Sequence, residues 1–100
     1  MIRKTSFGEY KIGGIYKHYK GNYYQILNIA FLHDSQNIYL IIYQQVDING
    51  VYQSIRDEKG EVKVQQPFAT HETRWQDEVK NNQGEIVKRF KLIKWKSYYT

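Results

Sequence analysis

The sequence predicts a mostly β domain, a small sandwich or partly open barrel of five to six antiparallel strands. Turn signals recur at intervals of about ten to fifteen residues, and the runs between them are β-branched and aromatic. Ten tyrosines in 100 residues supply the aromatic filling, and eight of them fall between Tyr10 and Tyr52. Tyrosine suits a half-buried pleat, with its ring packed and its hydroxyl at the rim. The length and composition fit one domain with one core and a shallow groove.

The elements follow in order. Residues 1–12 read as an N-terminal extension, 13–94 as the domain and 95–100 as a tail. Gly14–Lys20 is a strand, and Gly21-Asn22 is the two-residue signal of a type II′ hairpin leading into Tyr23–His33. Asp34-Ser35-Gln36-Asn37 is a second turn, followed by a strand over 38–46. Both of these runs are apolar at odd and even positions, as expected of central strands covered on two faces. Asn49-Gly50, Asp57–Gly60 and Asn82–Gly84 mark further turns. The lysine-bearing EVKVQ between the last two reads as an edge strand. Residues 85–94 alternate as one half-buried strand, with Ile86, Phe90 and Leu92 inward. The exception is 68–79, after the chain's single proline, Pro67. Thr73–Gln76 fits a capping box, and Trp75 and Val79 stand one helical turn apart, so a short helical or irregular segment is expected there.

Composition narrows the chemistry. With no cysteine there is no disulfide scaffold, thiol nucleophile or cysteine-type zinc site. His18, His33 and His71 lack the spacing of a metal motif, and no cofactor fingerprint occurs, so no metal and no cofactor are expected. The N-terminal residues carry basic groups without an apolar run, and no stretch suits a membrane span, which points to the cytoplasm and to no membrane partner. The formal charge of +5 is uneven: residues 1–30 carry +4, residues 31–55 carry −2 and the remainder +3. Five of the basic residues lie in KRFKLIKWK, 88–96. Basic ends around a weakly acidic middle are compatible with a polyanion-binding face, with Lys88, Arg89, Lys91 and Lys94 as its candidates; a solvated surface is the plainer and favoured reading.

Alternation along 14–20 aligns Tyr16, His18 and Lys20, a flat ring, a titratable imidazole and a cation in one row. Such a row can stack on a base, contact a phosphate or hold an acidic peptide. Packing of the same tyrosines inside the sheet is the competing structural reading. The run Gly14-Ile15-Tyr16-Lys17-His18-Tyr19-Lys20-Gly21-Asn22-Tyr23-Tyr24-Gln25-Ile26-Leu27-Asn28-Ile29-Ala30 resembles the opening of a bacterial and phage family of domains of unknown function. Its members begin G-x-Y-x-H-[YF]-K-G-x-x-Y-x-V-L-x-x-A. His33-Asp34-Ser35, Ile41-Ile42-Tyr43, Pro67-Phe68 and Arg89-Phe90 match its later landmarks. The resemblance implies an SH3-like barrel and assigns no activity. Where the family has W-V-R-P, this chain has Val64-Gln65-Gln66-Pro67, and glutamine cannot replace an arginine fork.

Three functional expectations result. The first is a non-catalytic module docking a peptide or protein partner at a tyrosine-lined groove built from Tyr16, His18, Lys20, Tyr24, His33 and Tyr43. The second is a nucleic-acid-binding barrel using the basic ends. The third is small-molecule binding or weak hydrolysis centred on His18 and His33, for which the two imidazoles must converge.

Overall fold

A computed structural model describes residues 1–33 and 38–95. The expected turn at 34–37 and the tail from Lys96 onward, with Tyr98 and Tyr99, lie outside the described residues. The elements are β1 (Ile2–Thr5), β2 (Gly8–Lys11), β3 (Ile15–His18), β4 (Tyr23–Phe31), β5 (Tyr39–Val46), β6 (Ile55–Arg56), β7 (Val62–Val64), β8 (Phe68–His71), α1 (Glu72–Gln76), β9 (Glu78–Lys80), β10 (Ile86–Lys88) and β11 (Phe90–Lys94). Five strands form one antiparallel sheet in the order β11-β3-β4-β5-β8, and β1-β2, β6-β7 and β9-β10 are separate hairpins. The sheet ends at β11 and β8 and does not close into a barrel. Among the described residues no helix is long and apolar enough to cross a membrane.

β4 and β5 are the long central strands, but the parity read from the sequence changes partway along β4. Ile26 lies opposite Tyr43 while Asn28 lies opposite Ile42, so Leu27 is an extra, bulged residue. A bulge reverses the alternation beyond it, and this turns both Ile26 and Ile29 onto the buried face. Leu27 and Phe31 are left exposed.

The expected single strand over 85–94 is broken at Arg89. Before the break, Ile86–Lys88 pairs with β9; after it, Phe90–Lys94 pairs with β3. Arg89 N–H donates to the Asp77 carbonyl at 2.8 Å, and the Arg89 carbonyl accepts from Tyr19 N–H at 2.9 Å, so the two backbone groups face different partners. Phe90 is buried, whereas Ile86 is 62% exposed because its hairpin stands away from the sheet.

The inner face of the sheet is closed by Trp75 of α1 and by Tyr10 of β2, which join Tyr16, Ile26, Ile29, Ile41 and Phe90 in one buried cluster. Helix α1 starts one residue before the expected capping box, and its N-cap, His71, makes no side-chain cap. It is held by tertiary packing of Trp75 and by Glu72, which is 2% exposed. Glu72 Oε2 accepts from Tyr10 O–H at 2.6 Å and from Thr5 Oγ1–H at 2.5 Å, tying the N-terminal hairpin to the helix. The helix stops at Gln76; Asp77 is extended, and Val79 belongs to β9 rather than to a helical face.

Three tight turns share one construction. In 47–51, 57–61 and 81–85 an Asp or Asn oxygen accepts two backbone N–H groups, and a glycine N–H returns to the carbonyl of that Asp or Asn. The turn at 18–22 keeps part of this plan, with His18 in the leading position and its side chain accepting one N–H in place of two. His18 Nδ1 accepts from Lys20 N–H at 3.2 Å, and the His18 carbonyl accepts from Gly21 N–H at 2.8 Å. The expected II′ turn centred on Gly21-Asn22 is therefore displaced toward Tyr19-Lys20. Gly21 follows it with φ 116°, a conformation open to glycine.

Burial, then the bond to Glu72, pushes the Tyr10 hydroxyl up to about 12. The fold thus favours the neutral phenol, and this contribution is intact below about pH 10, the unfolded value. It is lost as the pH rises through about 12. In urea titrations, Tyr10→Phe is expected to lower stability at neutral pH by about 1–3 kcal/mol. It is also expected to flatten the alkaline fall in stability relative to the parent.

Candidate anion-binding site

The aromatic cluster on the inner face sets up the site. Trp75 and Phe90 stack in parallel, with centroids 3.9 Å apart and planes inclined by 4°. Tyr43 meets the edge of this pair at 5.1 Å from Trp75, and Tyr24 stands 5.5 Å from Tyr43. The residue preceding each stacked ring is an arginine. Joining Trp75 to Phe90 therefore brings Arg74, from the helix, and Arg89, from the break between β10 and β11, to the rim of one cavity.

That cavity has a volume of about 130 Å³ and is lined by His18, Tyr24, Tyr43, Thr70, Arg74, Arg89 and Phe90. Since one water occupies about 30 Å³ of liquid, this is room for roughly four waters, the scale of a carboxylate with its methylene. The rings form apolar walls, while Arg74, Arg89, His18 and Thr70 supply polar groups. Burial, then the charges of Arg89, Lys20 and Arg74, holds His18 below the usual imidazole range. Its Nδ1 already accepts from the turn, so the neutral ring carries its proton on Nε2 and is a donor rather than a base. Burial also raises the Tyr43 hydroxyl, opposed in part by Arg74, which keeps it a neutral phenol.

Arg89 is only loosely neutralised. One guanidinium nitrogen lies 3.6 Å from Asp77 Oδ2, and its plane stands over Tyr19 at 5.9 Å. Its Nε is buried without a hydrogen-bond partner among the described residues. A buried, unsatisfied donor on a cation is costly in a folded protein, and an oxyanion reaching the guanidinium would supply the acceptor.

The structure brings together three of the six groove residues read from the sequence, His18, Tyr24 and Tyr43. Tyr16 is on the same sheet face but is 7% exposed; it packs edge-on against Trp75, and its hydroxyl accepts from Lys11 N–H. Lys20 is in the exposed turn, over the ring of Tyr19. His33 is exposed just beyond the far end of β4, nine residues from Tyr24 and so roughly 30 Å along an extended chain. It does not converge with His18. Of the four basic candidates, Arg89 enters the cavity; Lys88 and Lys91 border a different concavity, and Lys94 a third. The third is wider, about 660 Å³, and lined mainly by apolar residues such as Met1, Ile12, Ile15 and Trp95, with Gln25, Asn49 and Lys94 as its polar members.

Arg74 escaped the sequence reading because its place depends on where Trp75 packs. Gln66, which precedes Pro67, lies outside this cavity. Its Oε1 accepts from Gln45 N–H and its Nε2–H donates to the Gln53 carbonyl, joining two stretches of backbone. An arginine could not accept the first of these bonds.

The sequence matches the profile described as "Protein of unknown function (DUF1653)" over residues 14–92. The chain belongs to the DUF1653 family. A crystal structure of a DUF1653 protein from Bordetella bronchiseptica superposes with a TM-score of 0.59 at 19% identity. The match covers 85% of this chain and 90% of that one, and at this identity it speaks for the fold. No curated protein matches. In this DUF1653 chain the His18-Tyr19-Lys20-Gly21 segment is a turn whose leading side chain also walls the cavity.

Because the other three turns use Asp or Asn, His18→Asn is expected to keep the turn and to unfold within about 0.5 kcal/mol of the parent. His18→Ala, which removes the acceptor, is expected to cost about 1 kcal/mol. The depressed His18 value makes its contribution to stability complete above its unfolded value and lost as the pH falls through the folded one. Thermal melts across the acid range check both, and the His18→Asn variant should lack the His18 part of the acid slope.

Proposed function

We propose that this domain is a non-catalytic, SH3-like binding module that receives an acidic segment of a protein partner, with one Glu or Asp carboxylate entering the cavity. The observation that carries this reading is the convergence of Arg74, Arg89 and neutral His18 on a small space walled by Tyr24, Tyr43 and Phe90. Arginine forks match carboxylate geometry, and the aromatic walls suit the aliphatic part of a Glu side chain. The unpartnered Arg89 Nε favours an oxyanion over a neutral group. The lining supplies donors and cations, which bind and orient a ligand, and His18 has no free lone pair with which to take a proton.

The probe is a poly-glutamate peptide, compared with a polyglutamine peptide of the same length by calorimetric titration. The glutamate peptide is expected to bind, and Arg74→Gln to weaken it by at least about tenfold, the loss of one charge-assisted hydrogen bond. Added salt should weaken the parent complex only moderately, since the contact is partly buried. Equal binding of the two peptides, or an Arg74→Gln variant that binds as the parent does, would contradict the reading.

A further inference from the structure

The opposite face of the same strands carries a second cationic arrangement. Tyr16 and His18 of β3 face the core, so Lys17 points outward, and Lys91 of β11 is its registered cross-strand partner. Lys17 is in turn registered with Tyr23 of β4. Two exposed lysines thus stand directly opposite one another, continued by an aromatic ring on the next strand. Lys17 Nζ lies 5.8 Å from the Tyr23 centroid. Like charges placed opposite each other across an antiparallel pair are destabilising, and opposite charges would have been stabilising. Among the described residues the ion pairs are Lys11–Glu9 and Arg89–Asp77, so neither Lys17 nor Lys91 is neutralised by one.

This pair opens onto a concavity of about 440 Å³ bordered by Tyr19, Asn81, Val87 and Lys88, and by His18, which stands between it and the inner cavity. Lys88, registered opposite Glu78 in the β9-β10 hairpin, adds a third cation at the border of this concavity. Tyr19, within the 18–22 turn, borders the concavity, and Tyr23 stands beside Lys17 on β4. Rings beside paired lysines are what a flexible polyphosphate chain bearing flat bases requires: cations for successive phosphates and faces for successive bases. An acidic polypeptide would use the lysines but not the rings, and a membrane surface would use neither ring as a stacking platform.

We infer that this outer face, through Lys17, Lys91, Tyr19 and Tyr23, binds single-stranded nucleic acid, independently of the carboxylate cavity on the inner face. The probe is a fluorescent oligothymidylate, followed by anisotropy over a series of salt concentrations. The parent is expected to bind at low salt and to weaken steeply as salt is added. The double variant Lys17→Gln/Lys91→Gln should bind about tenfold more weakly, with the salt slope reduced by about 1.4 for two lost phosphate contacts. Tyr23→Leu should lose about tenfold in affinity with the slope unchanged, because stacking is not a counterion effect. Arg74→Gln should leave oligothymidylate binding within about twofold, and the double lysine variant should keep poly-glutamate binding, which separates the two faces. Melting temperatures control for folding; relief of the like-charge pair predicts a double variant at least as stable as the parent. No oligothymidylate binding at low salt would overturn the inference. So would displacement of the oligonucleotide by poly-glutamate at equal charge, or preferential binding to phosphatidylserine vesicles.

Discussion

The parallel contact between Trp75 and Phe90 packs the short helix against the edge strand β11, beside the β9-β10 ladder and the Arg89 N–H bond to the Asp77 carbonyl that link the flanking backbone. Trp75 is in a five-residue helix, too short to persist without packing. Phe90 begins the edge strand β11, which pairs on one side with β3 alone. Their stack, with Tyr16 and Tyr43 against its edges, covers the inner face of the sheet and fixes the helix over it. Each ring is preceded by an arginine, so the packing that completes the core also sets the spacing of Arg74 and Arg89. Core and candidate site thus share one contact. The Glu72 bonds to Tyr10 and Thr5 support it from the other end of the helix by holding the N-terminal hairpin in place.

Much of this was legible in the sequence, for reasons that can be named. β3, β4 and β5 announce themselves through β-branched and tyrosine-rich runs, and their turns through Asp, Asn and Gly. The bulge at Leu27 was not legible, because an extra residue in a strand apolar on both parities leaves no mark on the pattern. The break at Arg89 was hidden for the related reason that alternation continues across it. The helix was located within 68–79, but its start is set by Trp75 and Glu72 packing rather than by the capping box at Thr73. His18 was recognised as a candidate ligand group; its place in the turn could have been seen by comparing His18-x-x-Gly21 with Asp47-x-x-Gly50, Asp57-x-x-Gly60 and Asn81-x-x-Gly84. Arg74 had no local signal.

The fold also divides the basic charge that composition reports only as a total. On the inner side, two arginines and a neutral imidazole share a small aromatic-walled space, where planar, directional donors are most effective. On the outer side, lysines stand opposite one another in solvent, where a mobile point charge serves as well. Arginine within and lysine without is the distribution expected if one face selects a single carboxylate and the other follows a flexible polyanion.

Core packing brings Arg74, Arg89 and His18 to one cavity, and nuclear magnetic resonance reads directly whether those atoms share one oxyanion there. The chain, labelled with nitrogen-15, would be titrated with poly-glutamate while the arginine Nε–H and histidine imidazole signals are followed. A large downfield shift of the Arg89 Nε–H proton is expected as it gains an acceptor, with a smaller concerted shift of the His18 ring. Saturable binding that leaves the Arg89 and His18 signals in place, and moves only surface lysines, would contradict a shared oxyanion.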